Sequence, residues 1–176
     1  MGKSKMSGRI ISEGLLMPWR ILARDRRMLT KRIYQVVAGV LLLGALFWAT
    51  FHLTESPSVW YDEGIYIQSA VSFLQTGHVG FQLAPGSVTH ISRVSVSYPL
   101  IFPLAIWFRF FGVSVLAARS LMVIFLMALL VTAYALIKRR FGPGLAVATL
   151  ALLASFPPLY GNGKSVLGEV PGLFYL

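Results

Sequence analysis

Residues 33–53, IYQVVAGVLLLGALFWATFHL, decide the fold. At about 1.5 Å per residue, a helix of this length crosses a hydrocarbon core of about 30 Å. The run is longer than the apolar core of a signal peptide, and Thr54-Glu55-Ser56-Pro57 behind it holds no small-x-small cleavage pattern, so it reads as a retained first transmembrane helix. Composition agrees. Of the 176 residues 56% are hydrophobic and the mean hydropathy is +0.71, too apolar for an ordinary soluble domain. The absence of cysteine excludes disulfides, thiolate metal sites and a cysteine nucleophile.

Upstream, residues 1–32 carry nine Lys/Arg against two acids, Glu13 and Asp25, and read as a basic cytoplasmic segment. Leu15, Trp19, Leu22 and Leu29 fall at roughly helical spacing, so a cationic helix could rest on anionic lipid there. The simpler reading, a signal that fixes orientation, is preferred. The net charge of +10 does not point to nucleic acid, because the basic residues flank apolar runs instead of alternating with stacking aromatics on a soluble surface.

Downstream, residues 54–97 turn polar, with Gly77, Gly80, Pro85 and Gly86 as breakers, and residues 54–114 are read as a large external first loop. Within it, Glu63 to Gln75 reads as a short surface helix, with Asp62 as N-cap and a stripe of Tyr66, Ala70, Phe73 and Leu74 ending before Gly77. Tyr98 to Phe111 is apolar but too short to span, and is placed flat at the outer interface. That choice puts Lys138-Arg139-Arg140 on the cytoplasmic side after a second spanning helix, Val115 to Ile137. Phe141-Gly142-Pro143-Gly144 is then a tight turn, and a third helix from Leu145 to about Tyr160 delivers a second external loop from Gly161 onward. The expected fold class is all-α, a polytopic bundle with juxtamembrane helices in its first loop. A multi-pass protein of the plasma (inner) membrane with a cytoplasmic N-terminus is the matching localisation.

The topology gathers chemistry on one face. Asp62, Glu63 and Glu169 are external carboxylates close to the membrane surface. Adjacent helical residues point about 100° apart, so Asp62 and Glu63 should divide their work. One can take a proton from an acceptor hydroxyl while the other orients a cation, a backbone amide or a substrate group. Capping and dipole roles alone would also account for both. Arg93, Arg109, Arg119 and Lys164 are the external cations, candidates for an anionic leaving group or for simple interfacial anchors. His78 and His90 show no metal-ligand spacing, and His52 sits at a helix end.

The ordered series Asp62-Glu63-x-x-Tyr66-x-x-x-Ala70-x-x-x-Leu74-x-x-Gly77, then Tyr98-Pro99-Leu100, then Trp107 to Ser114, then Leu116-Ala117-Ala118-Arg119, then Lys138-Arg139-Arg140-Phe141-Gly142 resembles membrane glycosyltransferases of the GT-C class, the protein O-mannosyltransferase-like families 39 and 83. The resemblance covers roughly residues 33–176. It implies inverting transfer of a sugar from a polyprenyl- or dolichyl-phosphate carrier to a hydroxyl acceptor on protein, lipid or polysaccharide outside the cytoplasm. By the same resemblance Asp62 is the catalytic base and Glu63 the second member of the acidic pair. Arg93, Arg119 and Lys164 are the cations expected to face the carrier phosphate, and Glu169 falls where a second-loop acid can serve a divalent metal cation. Ser97-Tyr98-Pro99 departs from the pattern, since many relatives have a basic residue or His before two prolines there. A transporter segment and a non-catalytic membrane scaffold are the competing readings. The apolar stretch beginning at Gly168 reads as the start of a further helix, so the chain is expected to be the N-terminal portion of a larger enzyme and to lack turnover alone.

Overall fold

A computed structural model describes residues 8–84, 87–90 and 98–176. The described chain is mostly helical. In order it runs α1 (Gly8–Thr50), α2 (Tyr61–Thr76), β1 (Gly80–Ala84), β2 (Ser87–His90), α3 (Tyr98–Phe111), α4 (Val115–Phe141), α5 (Pro143–Ala154), α6 (Pro157–Gly161), a 3-10 turn at Asn162–Lys164, and α7 (Glu169–Tyr175).

Two stretches, Thr30–Thr50 within α1 and Val115–Phe141, are long and apolar enough to cross a membrane. This makes the chain a membrane protein by length and composition. The faces that α1 turns inward are small: Ala38, Ala45 and Ala49 are buried, while Val36, Val40, Leu43, Phe47 and Trp48 stay exposed. Small residues at helix contacts let backbones approach when there is no water to squeeze out, and the large apolar ones face lipid. α4 is the central helix, burying Ala118, Met122, Leu126 and Leu130 among others, and it touches α1, α3, α5 and α7. α3 sets Leu100, Ile101, Leu104, Ala105 and Phe108 on one buried face against α2 and α4, the i, i+4, i+8 pattern of a helix stripe.

Several sequence expectations need correction. α1 does not begin after the basic segment; one helix of 43 residues runs through it from Gly8, because nothing between Gly8 and Thr50 breaks a helix except Pro18, whose turn the structure keeps helical. It stops at Thr50, not Leu53, with a turn over residues 51–55 and His52 at a φ of 47°. The third span is broken. α5 ends at Ala154, and α6 leaves at a bend of 64°, so a third crossing exists only if the bent pair counts as one. Pro157 and Pro158 explain the break, since proline lacks the N–H that would continue the ladder and forces Phe156 before it into extended backbone (φ −79°, ψ 107°).

The first loop is not purely helical either. β1 and β2 pair antiparallel, with Phe81 opposite Thr89 and Gln82 opposite Val88. The Gly- and Ser-rich composition hid this hairpin, and its alternation is only a few residues long. α2 starts two residues earlier than expected, capped by Trp60 instead of Asp62, and closes at Gly77, whose φ of 74° suits a residue without Cβ.

Candidate functional site: the Glu63 bolt and the Asp62 cleft

Why Glu63 lies where it does follows from the start of α2. It is the third helical residue, and its Oε2 accepts from the Trp60 N–H at 3.1 Å, the returning half of a capping box. Trp60 has no side-chain acceptor to complete the box, so the carboxylate is fixed from elsewhere. Arg119, one turn into α4, supplies a two-pronged contact: Nε to Oε1 at 3.0 Å and Nη2 to Oε2 at 2.7 Å. The Val166 N–H, from the segment after the 3-10 turn, donates to Oε1 at 2.7 Å. Both Glu63 and Arg119 are 0% exposed.

The same guanidinium extends to a third partner. Its Nη1 donates to the Leu53 carbonyl at 2.8 Å, and Lys164 Nζ donates to the Phe51 carbonyl at 2.8 Å. These carbonyls follow the end of α1, where a helix has no backbone partners left to offer and cations are favoured. Four separate parts of the chain therefore meet at one carboxylate and its cations: the end of α1, the start of α2, the top of α4, and residues 164–166. Gly163 permits the last of these to close in, because a Cβ there would stand 3.2 Å from Val170 Cγ2 and 3.7 Å from Leu126 Cδ1.

Burial by itself would raise the Glu63 carboxyl and is the largest single influence on it. The Arg119 hydrogen bonds, the Val166 and Trp60 N–H groups and the Arg119 charge together outweigh burial, so the carboxyl is held below its ordinary range. It is an ionised, fully engaged structural group.

This arrangement corrects the sequence reading of three residues. Glu63 cannot touch a substrate, because its oxygens are enclosed and already accept four hydrogen bonds from three residues. Arg119 is spent on Glu63 and Leu53, not offered to a phosphate. Lys164, 5% exposed, is turned inward to Phe51. Arg93 lies outside the described residues. Arg109 is exposed in the last turn of α3.

Asp62 has the opposite fate. Being the adjacent residue on α2, it points away from the bolt, is half-buried, and lines a cleft of about 390 Å³ with Trp60, Asn162, Ser165, Leu167 and Glu169. Glu169 is exposed at the first position of α7. The cleft continues on one side into an apolar hollow of about 270 Å³ bounded by Phe156, Val170 and Leu173, and Asn162 also borders a neighbouring hollow of about 420 Å³ lined by Trp48, His52 and Tyr160. Asp62 and Glu169 thus share one opening, although 107 residues separate them in sequence.

For a divalent cation the cleft offers oxygen donors only, two carboxylates with the Asn162 amide and the Ser165 hydroxyl nearby. Among the described residues no group of three His, Asp or Glu side chains comes together. In donor chemistry such a set suits a hard, largely hydrated ion such as Mg²⁺ and not zinc.

What sequence reasoning missed is the pairing of Glu63 with Arg119. A signal was available: Arg119 is the only charged residue between Val115 and Ile137 in an otherwise apolar helix, and a charge in such a place needs an internal partner. No protein-family model, curated protein or solved structure matches this chain.

Proposed function

We propose that the chain is part of a membrane glycosyltransferase that moves a sugar from a polyprenyl- or dolichyl-phosphate carrier to a hydroxyl acceptor, with Asp62 as general base. One observation carries the reading. A carboxylate is presented to an open cleft from the first turn of a helix, while its neighbour Glu63 locks that turn to the ends of two membrane-length helices. A rigidly held base within reach of lipid is what such a transfer requires.

In this mechanism the acceptor hydroxyl approaches through the cleft and gives its proton to the Asp62 carboxylate. Its oxygen attacks the anomeric carbon from the face opposite the carrier. The bond from that carbon to the phosphate oxygen breaks, and the electron pair leaves on the lipid phosphate, inverting the centre. A divalent cation, if held by Glu169 with the Asn162 amide and leaving Asp62 free as the base, would supply charge neutralisation for the leaving phosphate. Glu63, Arg119 and Lys164 take no part in these transfers; they fix where Asp62 stands. With Arg119 and Lys164 turned inward, Arg109 and Arg93 are the remaining cations for the carrier phosphate.

The test is transfer of sugar from a short-chain polyprenyl-phosphate donor by the full-length protein, read as a radiolabelled or mass-shifted acceptor. Transfer supports the proposal, and its absence across several sugars and acceptors, from folded protein, refutes it. In liposomes the competing transporter reading predicts solute or proton flux instead. The buried acid Glu63 and base Arg119 are bonded to each other, so this pair offers no vacant proton site for such a pathway.

Orientation belongs to the same proposal. Single cysteines replace Ser87 in β2 and Phe141 at the end of α4, both exposed. An impermeant thiol reagent on intact cells is expected to label Ser87→Cys and spare Phe141→Cys. Labelling of Phe141→Cys from outside would put the basic end of α4 on the outer face and overturn the assigned topology.

A further inference from the structure

Two basic clusters lie far apart in the chain and together in the fold. Tyr34 on α1 packs against the first turn of α5, where a Cβ built on Gly144 would stand 3.4 Å from Tyr34 Oη. Arg32 and Lys31 precede Tyr34 on the same helix by about 3 Å and 4.5 Å along its axis. Lys138, Arg139 and Arg140 close α4 just before the turn that leads to Gly144. All five side chains are exposed at one end of the bundle, where one membrane-length stretch begins and the other finishes.

Among the described side chains of these helices none is an acid. Residues 26–54 and 64–168 contain neither Asp nor Glu, and Asp25 is the nearest acid along the chain. Part of the charge is accounted for locally: the last turn of α4 favours cations through its dipole, and Lys138 Nζ stands 5.3 Å from the centre of the Tyr134 ring. Lys31 and Arg32 sit in mid-helix, away from a helix terminus. Bringing them beside the α4 terminus concentrates like charge where the two membrane-length stretches begin and finish, a place suited to an anion.

We infer that this end of the protein binds the headgroup of an anionic phospholipid, seated between Lys31 and Arg32 on α1 and Arg139 and Arg140 on α4. The arginines suit the lipid phosphate, which their planar forks can grip through two parallel hydrogen bonds. Phe141, 68% exposed beside them, is placed to lie among the acyl chains. Each basic residue near an anionic surface strengthens attraction about fivefold.

The experiment uses the full-length protein purified in detergent micelles, where orientation across a bilayer no longer matters, and counts retained lipid by native mass spectrometry. Phosphatidylglycerol and phosphatidylcholine are supplied in equal amounts. Wild type should retain phosphatidylglycerol at least about tenfold better. Lys31→Gln/Arg32→Gln and Arg139→Gln/Arg140→Gln should each cut that preference by about tenfold. Equal retention of the two lipids by wild type would overturn the inference without any variant. So would loss confined to one pair, or displacement by millimolar inorganic phosphate, which would mark a free-anion site.

Discussion

Glu63→Gln is expected to lower the stability of the folded protein by about 3–5 kcal/mol, because it leaves the Arg119 charge buried without its counter-ion. For a chain of this size that is a fall of roughly 6–20 °C in melting temperature, measured in detergent. Arg119→Met should cost a similar amount from the other side, leaving the Glu63 carboxylate with two backbone donors and the Leu53 carbonyl with none. The double variant should be less damaged than the sum of the two, since the pair's interaction is counted twice in that sum. pH supplies an independent reading. A carboxyl held below its ordinary value contributes stability that is complete above about pH 4.3 and is lost as pH falls through the folded-state value. Wild type should therefore lose stability on acidification beyond what Glu63→Gln loses. A loss under about 1 kcal/mol in Glu63→Gln, with no difference in acid response, would remove the bolt from the account of this fold.

Asp62→Asn is expected to do the reverse, leaving the melting temperature close to wild type and abolishing sugar transfer. Asparagine keeps the size of the side chain, and Asp62 holds no buried partner whose loss would unfold α2. It cannot accept the acceptor's proton at neutral pH. The rate should fall by about 10² or more, with little change in the donor's apparent affinity. Comparing the two variants separates chemistry from architecture: Glu63→Gln should lose activity in step with folded protein, Asp62→Asn at full folding. Near-normal turnover by folded Asp62→Asn would take Asp62 out of the mechanism and leave Glu169 as the carboxylate facing the cleft.

Where periodicity and length carry the information, the sequence could be read directly. The apolar runs inside α1 and α4, and the α3 boundaries at Tyr98 and Phe111, are marked by composition changes and by Pro or Gly at their edges. α2 ends where Gly77 ends it. The joins were harder, because they depend on what packs nearby. Basic residues do not stop a helix, so the passage of α1 through Arg26, Arg27, Lys31 and Arg32 left no mark in hydropathy. At Pro157-Pro158 the hydropathy stays apolar while the backbone turns, and an average over the window conceals the bend. Two neighbouring carboxylates showed that Asp62 and Glu63 point apart, yet not which one turns inward. Only the position of Arg119, 56 residues later, decides that.

The bolt also dictates an order of events during synthesis. Glu63 emerges 56 residues before Arg119 and 103 residues before Val166, both of which it needs. At about 5–20 residues per second, the carboxylate waits roughly 5–20 s for its last partner. For the first 56 residues of that interval the carbonyls after α1 lack both Arg119 and Lys164, and until Val166 is made the start of α2 is only partly fastened. The helix turn bearing Asp62 is thus fixed in place only after both membrane-length helices have been translated, which makes the cleft the final part of this region to be assembled.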